Sequence, residues 1–136
     1  MWKILVVDDD FINRKLLIEI LRGRAECDVA VNGVEAIEAY NIAVKHNTRY
    51  DVMLLDIAMP QMDGLEVMKL IRENERRAGV QPDRGIPIVV VTAHKKPFAD
   101  SFKSGCDDYV LKPVVAAELV GKISALIEKR SGGKAA

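Results

Sequence analysis

The chain has 136 residues, enough for one domain with a substantial core and too few for several. Lys plus Arg and Asp plus Glu each total 20, so no net field draws it to nucleic acid or to an anionic membrane. Hydrophobic residues at 49% and charged residues at 29% fit a globular chain, and no apolar run approaches the ~20 residues that span a bilayer.

The first element, "KILVV" (3–7), reads as a strand and is closed by Asp8, Asp9 and Asp10. A single Lys before it and three Asp after it do not make a signal peptide. Asp10 precedes "FINRKLL" and suits a helix N-cap. Ile12, Leu16 and Ile20, with Leu17 and Leu21, give that first helix an apolar stripe. "CDVAV" (27–31) is the second strand, followed by a helix marked by Ile37, Tyr40 and Val44. "DVMLL" (51–55) is the third and ends at Asp56. Asp63 in "MDGLEVM" suits a turn and cap before a helix marked by Met68 and Ile71. "AGVQPDRG" (78–85) is a polar connection.

The fourth strand, "IPIVVV" (86–91), ends at Thr92. Like the third it is nearly continuously apolar, as strands covered on both faces are. A short, weakly apolar helical segment, "KPFADSFKSG", runs to Gly105, a natural helix stop. "DYVLK" (108–112) is the fifth strand, and Leu119, Ile123, Leu126 and Ile127 mark the last helix. Residues 1–130 form the expected domain and 131–136, "SGGKAA", a flexible tail. Cys27 and Cys106 have neither metal-type spacing nor a CxxC pattern, so both are expected as reduced, core-side residues in a cytoplasmic protein.

Strand and helix alternate five times, which specifies an α/β fold with a parallel sheet. In such sheets ligands bind beyond the carboxyl ends of the strands. Asp8 and Asp9, Asp56, Thr92 and Lys112 fall at four of those ends and should meet there. Carboxylates gathered in one place repel unless protonated or neutralised by a cation. All-oxygen donors without His or Cys favour Mg²⁺, or Mn²⁺, over zinc. A Lys opposite such a metal completes a clamp for a phosphoryl group, and Asp56 is then the carboxylate that attacks phosphorus.

With "ILVVDDD", "DVMLLDIAMPQMDGLEVM", "IPIVVVTAH" and "GCDDYVLKP" in this order, the chain resembles a bacterial two-component response-regulator receiver domain of the single-domain, chemotaxis-regulator type, over residues 3 to about 129. The resemblance implies a doubly wound (βα)5 fold with the flavodoxin-like strand order 2-1-3-4-5. It makes Asp56 the acceptor of a phosphoryl group from a histidine kinase or phosphotransfer protein. Asp8 and Asp9 become the acid pair for Mg²⁺, with the backbone carbonyl of Ala58 as a further ligand. Thr92 is the switch hydroxyl, Lys112 the phosphate-pairing ammonium, and Tyr109 the aromatic that changes rotamer on activation. Lys112–Pro113 is the expected cis peptide. The surface of the fourth helical segment, fifth strand and last helix is then read by a downstream protein, as a monomer or a phosphorylation-dependent dimer, without direct contact to nucleic acid or membrane. Ala58 and His94, two residues after Asp56 and Thr92, are where the family tunes phosphoryl lifetime, and neither is an amide or acidic residue that positions water.

Other readings fit less well. A haloacid-dehalogenase-type phosphatase needs a second Asp where Ala58 stands, and "DDDFINR" repels the phosphate of a flavin mononucleotide carrier. A phosphorylation-independent interaction domain leaves the full acidic set without a purpose. The chain also reads as a receiver module from a hybrid kinase or larger regulator, although Met1 and the polar tail match a complete small protein.

Overall fold

The computed structural model describes residues 1–57, 59, 62–93 and 105–135. Five strands, β1 (Trp2–Val7), β2 (Ala25–Ala30), β3 (Val52–Leu55), β4 (Ile88–Thr92) and β5 (Asp108–Leu111), form one sheet in the order β2-β1-β3-β4-β5. Each neighbouring pair is parallel. The described helices are α1 (Phe11–Leu21), α2 (Gly33–Lys45), α3 (Gly64–Arg77) and α4 (Ala116–Ala135), with a 3-10 turn at Pro82–Arg84. The helical segment expected to end at Gly105 falls almost wholly outside the described residues. None of the helices searched is long and apolar enough to cross a membrane.

Period-two alternation divides the core into two layers. Leu5, Val7, Met53, Leu55, Ile88 and Val90 face α2 and α3 through Ala36, Tyr40, Val67, Met68 and Ile71. Ile4, Val6, Val52, Leu54, Val89, Val91 and Val110 face α1 and α4 through Leu17, Leu21, Leu119 and Ile123. Both faces of the three central strands are therefore dry, which is why they read as continuous apolar runs. Each fully buried Leu, Ile or Val contributes roughly 1.5–3 kcal/mol relative to exposure. β2 lies at the sheet edge, with only Ala30 fully buried.

Three helices begin on the side chains suited to start them. Asp10 accepts from the amides of Ile12 and Asn13, Asn32 from Glu35 and Asp63 from Glu66. Two details depart from the sequence reading. Ile12 and Leu16 are exposed and the α1 stripe narrows to Leu17 and Leu21, because only that flank meets the sheet. The backbone of α4 stays helical through Ser131 to Ala135, where a tail was expected. An established helix extends by one hydrogen bond per residue ordered, which offsets the weak helix preference of two glycines.

Candidate functional site

Strand register, rather than any local motif, brings the carboxylates together. Val7 of β1 lies opposite Leu55 of β3, so the next residues, Asp8 and Asp56, emerge side by side. The Asp56 amide continues the ladder by donating to the Val7 carbonyl at 2.9 Å, and the Asp8 amide donates to Ala30 at 3.1 Å. Asp8 is 1% and Asp56 7% exposed, whereas Asp9 is open to solvent. One carboxylate oxygen from each of Asp8, Asp9 and Asp56 lies within 4.8 Å of the others.

The Lys112 ammonium reaches back across this cluster from the residue after β5. Its Nζ is 3.4 Å from Asp8 Oδ2 and 3.9 Å from Asp56 Oδ2. Among the described residues one ammonium faces the three carboxylates, which leaves negative charge uncompensated there, and the donors are all hard oxygens. The residues present therefore fit a small divalent cation of the Mg²⁺ or Mn²⁺ type. Thr92 closes β4 at 1% exposure, and its carbonyl accepts from the Lys112 amide at 2.8 Å. The Lys112–Pro113 peptide is cis.

The loop that carries the site is shaped from behind by Gly64. Its amide donates to the Ile57 carbonyl at 3.0 Å. A Cβ there would fall 2.6 Å from the Asp56 carbonyl oxygen and 2.8 Å from Ile57 Cα. Asp8 is held in turn from α1: its Oδ1 accepts from the Asp10 amide at 2.9 Å, and its carbonyl from Arg14 Nη1 at 2.9 Å.

Tyr109 lies partly buried on β5 beside Lys122 of α4. The Lys122 ammonium sits 4.8 Å from the ring centroid, donates to the Tyr109 carbonyl, and lies 3.5 Å from Asp108. Neither Arg14 nor Lys122 stands out in the sequence. Arg14 lies one turn into a helix that is otherwise read for its apolar stripe, and Lys122 is one of many helix lysines. The residues expected to tune the site, Ala58 and His94, lie outside the described residues.

Comparison with known proteins gives one family. The model for the response regulator receiver domain matches residues 4–124. The Bacillus subtilis transcriptional regulatory protein ResD is 38% identical over 132 residues, which cover 95% of this chain and 49% of that protein. The chain spans no more than about half the length of the first curated relatives it matches. Among solved structures, the receiver domain of a Pseudomonas aeruginosa sensor histidine kinase, with a magnesium ion coordinated in its active-site cleft, superposes with a TM-score of 0.76 at 27% identity, covering 93% of this chain and 98% of that one. The receiver domain of a Saccharomyces cerevisiae response regulator, in co-crystal with a histidine phosphotransfer protein, gives 0.77 at 29% identity, covering 90% and 86%.

Proposed function

Since the chain belongs to the response regulator receiver domain family of two-component signalling, we propose that Asp56 is its phosphoryl acceptor. The donor is the phosphohistidine of a kinase or phosphotransfer protein. A carboxylate oxygen of Asp56 attacks phosphorus, the bond from phosphorus to the imidazole nitrogen breaks, and the donor histidine keeps the electron pair. The single observation that carries this reading is the Lys112 ammonium within 4 Å of both Asp8 and Asp56. A fixed cation at that point pairs with the incoming phosphoryl oxygens as charge builds on them.

Asp8, Asp9 and Asp56, with the backbone carbonyl of Ala58, are the residues that would hold Mg²⁺. When bound, the ion neutralises the crowded carboxylates and the transferred phosphoryl oxygens. The chain itself supplies the nucleophile at Asp56, orientation through the Gly64 backing of its loop, and the Thr92 hydroxyl as a donor to the new phosphate. Phosphorylation adds roughly −1.5 to −2 charge. Thr92 moves toward it and Tyr109 takes the space released, which alters the face around β5 and α4 that a downstream protein reads. The molecule acts as an acceptor and switch rather than a turnover catalyst.

The deciding experiment is incubation with Mg²⁺ and acetyl phosphate, read by intact-mass spectrometry. One added phosphoryl group is expected in the wild type, and none in Asp56→Asn or without divalent cation. Phosphate retained by folded Asp56→Asn would assign the wrong nucleophile.

A further inference from the structure

The end of β2 brings no reactive group to the site, yet it touches both loops that carry the buried carboxylates. The Ala30 carbonyl accepts from the Asp8 amide at 3.1 Å. Three residues further on, Gly33 opens α2 directly against Met62, in the loop between β3 and α3. A Cβ on Gly33 would fall 2.5 Å from the Met62 carbonyl oxygen, 2.7 Å from Met62 Cβ and 2.9 Å from its Cγ. The shortest of these approaches is to backbone, which cannot swing aside as the tip of a side chain can.

Helix formation does not account for this glycine. Gly33 is the first residue of α2 and its φ lies outside the left-handed region, so alanine would serve the helix better. What the position requires is room for Met62. Of the two sides of the contact, α2 is the fixed one. Asn32 Oδ1 accepts from the Glu35 amide and Glu35 Oε1 from the Val31 amide, both at 2.9 Å. Gly33, Ala36, Tyr40 and Ala43 are buried. The loop is tied near its ends, where the Asp56 amide donates to Val7 at 2.9 Å and the Gly64 amide to Ile57 at 3.0 Å. Met62 falls between those ties. A side chain at position 33 would therefore displace the loop rather than the helix, and that loop begins at Asp56.

We propose that Gly33 is a positioning residue for phosphoryl transfer: it lets Met62 seat against the start of α2 and so fixes the loop that carries Asp56. The inference rests on the reading of Asp56 as the acceptor. Gly33 acts through Met62 and touches no reacting atom.

The test compares Gly33→Ala with Asn32→Ala, which removes the neighbouring cap of α2 and adds no atom toward Met62. Both should lower the urea midpoint. Only Gly33→Ala should shift the backbone amides of Asp56, Ile57 and Gly64 in the ¹⁵N spectrum. It should weaken Mg²⁺, titrated on those amides, about tenfold, as loss of the support behind a ligand does. Phosphorylation by acetyl phosphate, per folded molecule, should slow about tenfold or more, the scale of a small misplacement of a reacting group. Met62→Ala withdraws the loop's side of the contact without crowding it, and should act in the same direction by a smaller factor. The proposal is overturned if folded Gly33→Ala matches Asn32→Ala in Mg²⁺ affinity and phosphorylation rate. Should Gly33→Ala not fold, wild-type affinity and rate in Met62→Ala overturn it. If the wild type takes no phosphoryl group on Asp56, the acceptor reading fails instead, and the amide shifts and Mg²⁺ affinities still decide the role of Gly33.

Discussion

A methyl group added to Gly64 and one added to Gly121 should have opposite effects. At Gly64 the new Cβ meets the backbone of Asp56 and Ile57 at 2.6 and 2.8 Å, where neither atom has room to yield. Gly64→Ala is expected to cost about 1–3 kcal/mol, as overpacking does, and to slow phosphorylation because the displaced loop carries Asp56. At Gly121, inside α4, nothing lies within 4 Å, so Gly121→Ala should gain about 0.5–1 kcal/mol. Urea midpoints of the two variants check both signs. The aspartates divide in the same way. Asp10 caps α1, and Asp10→Ala should cost about 1 kcal/mol of stability while leaving Mg²⁺-dependent phosphorylation intact. Asp8→Asn should abolish phosphorylation in a folded protein. The cap was legible in the sequence, because only Asp8, Asp9 and Asp10 separate the strand end at Val7 from the helix start at Phe11 in "VVDDDFINR". The clash behind Gly64 was not. "MDG" announces a turn and a cap, but which backbone the glycine approaches depends on the return path of the loop.

Among the elements, α3, β4, β5 and α4 are tied by a polar cluster at the edge away from the carboxylates. Arg72 of α3 donates to the Gly105 carbonyl, to Glu75 and to Asp107, at 2.7–2.9 Å. Asp107 also accepts from the Ile88 amide at 2.8 Å and from Arg130 of α4 at 3.0 Å. The Arg72 and Asp107 side chains are 23% and 20% exposed, so the pair is screened less than a surface bridge and more than a fully buried one. Arg72→Met is expected to cost roughly 2–4 kcal/mol, since it removes the cation paired with buried Glu75 and one of the two paired with Asp107. In a double-mutant cycle with Asp107→Asn by urea unfolding, the two losses should fall well short of adding; strict additivity would mean that the cluster is not a unit. The strands and apolar helix faces were readable because burial imposes periods of 2 and 3.6 on sequence. This cluster was not, as it joins residues up to 58 positions apart by side-chain reach alone. The α1 stripe shows the limit from the other side. Period marks Ile12, Leu16, Leu17 and Leu21 alike, and only packing against the sheet selects the last two.

Taken whole, the molecule holds two thiols and two phenols in partly or wholly buried places beside carboxylates, which governs how stability responds to base. The Cys106 thiol is pushed up from its ordinary 9.0 to about 11, first by burial and then by the charges of Asp107 and Asp108. Burial and the neighbouring Asp28 raise Cys27, and burial with Glu75 raises Tyr40. Tyr50 is raised by burial and by the 2.7 Å hydrogen bond from its hydroxyl to Asp28. Each of these groups holds its proton more tightly folded than unfolded. Their contribution to stability is therefore complete below the unfolded values, near 9 for the thiols and 10 for the phenols, and is lost as pH rises through the folded ones. Urea midpoints should be insensitive to these four groups up to about pH 9 and should fall steadily between 9 and 11. Cys106→Ala removes one of the two groups that titrate first, so its midpoint should decline less steeply than that of the wild type over that window. Parallel declines would mean that the Cys106 thiol ionises as readily in the folded chain as in the unfolded one, and that the alkaline loss belongs to the tyrosines.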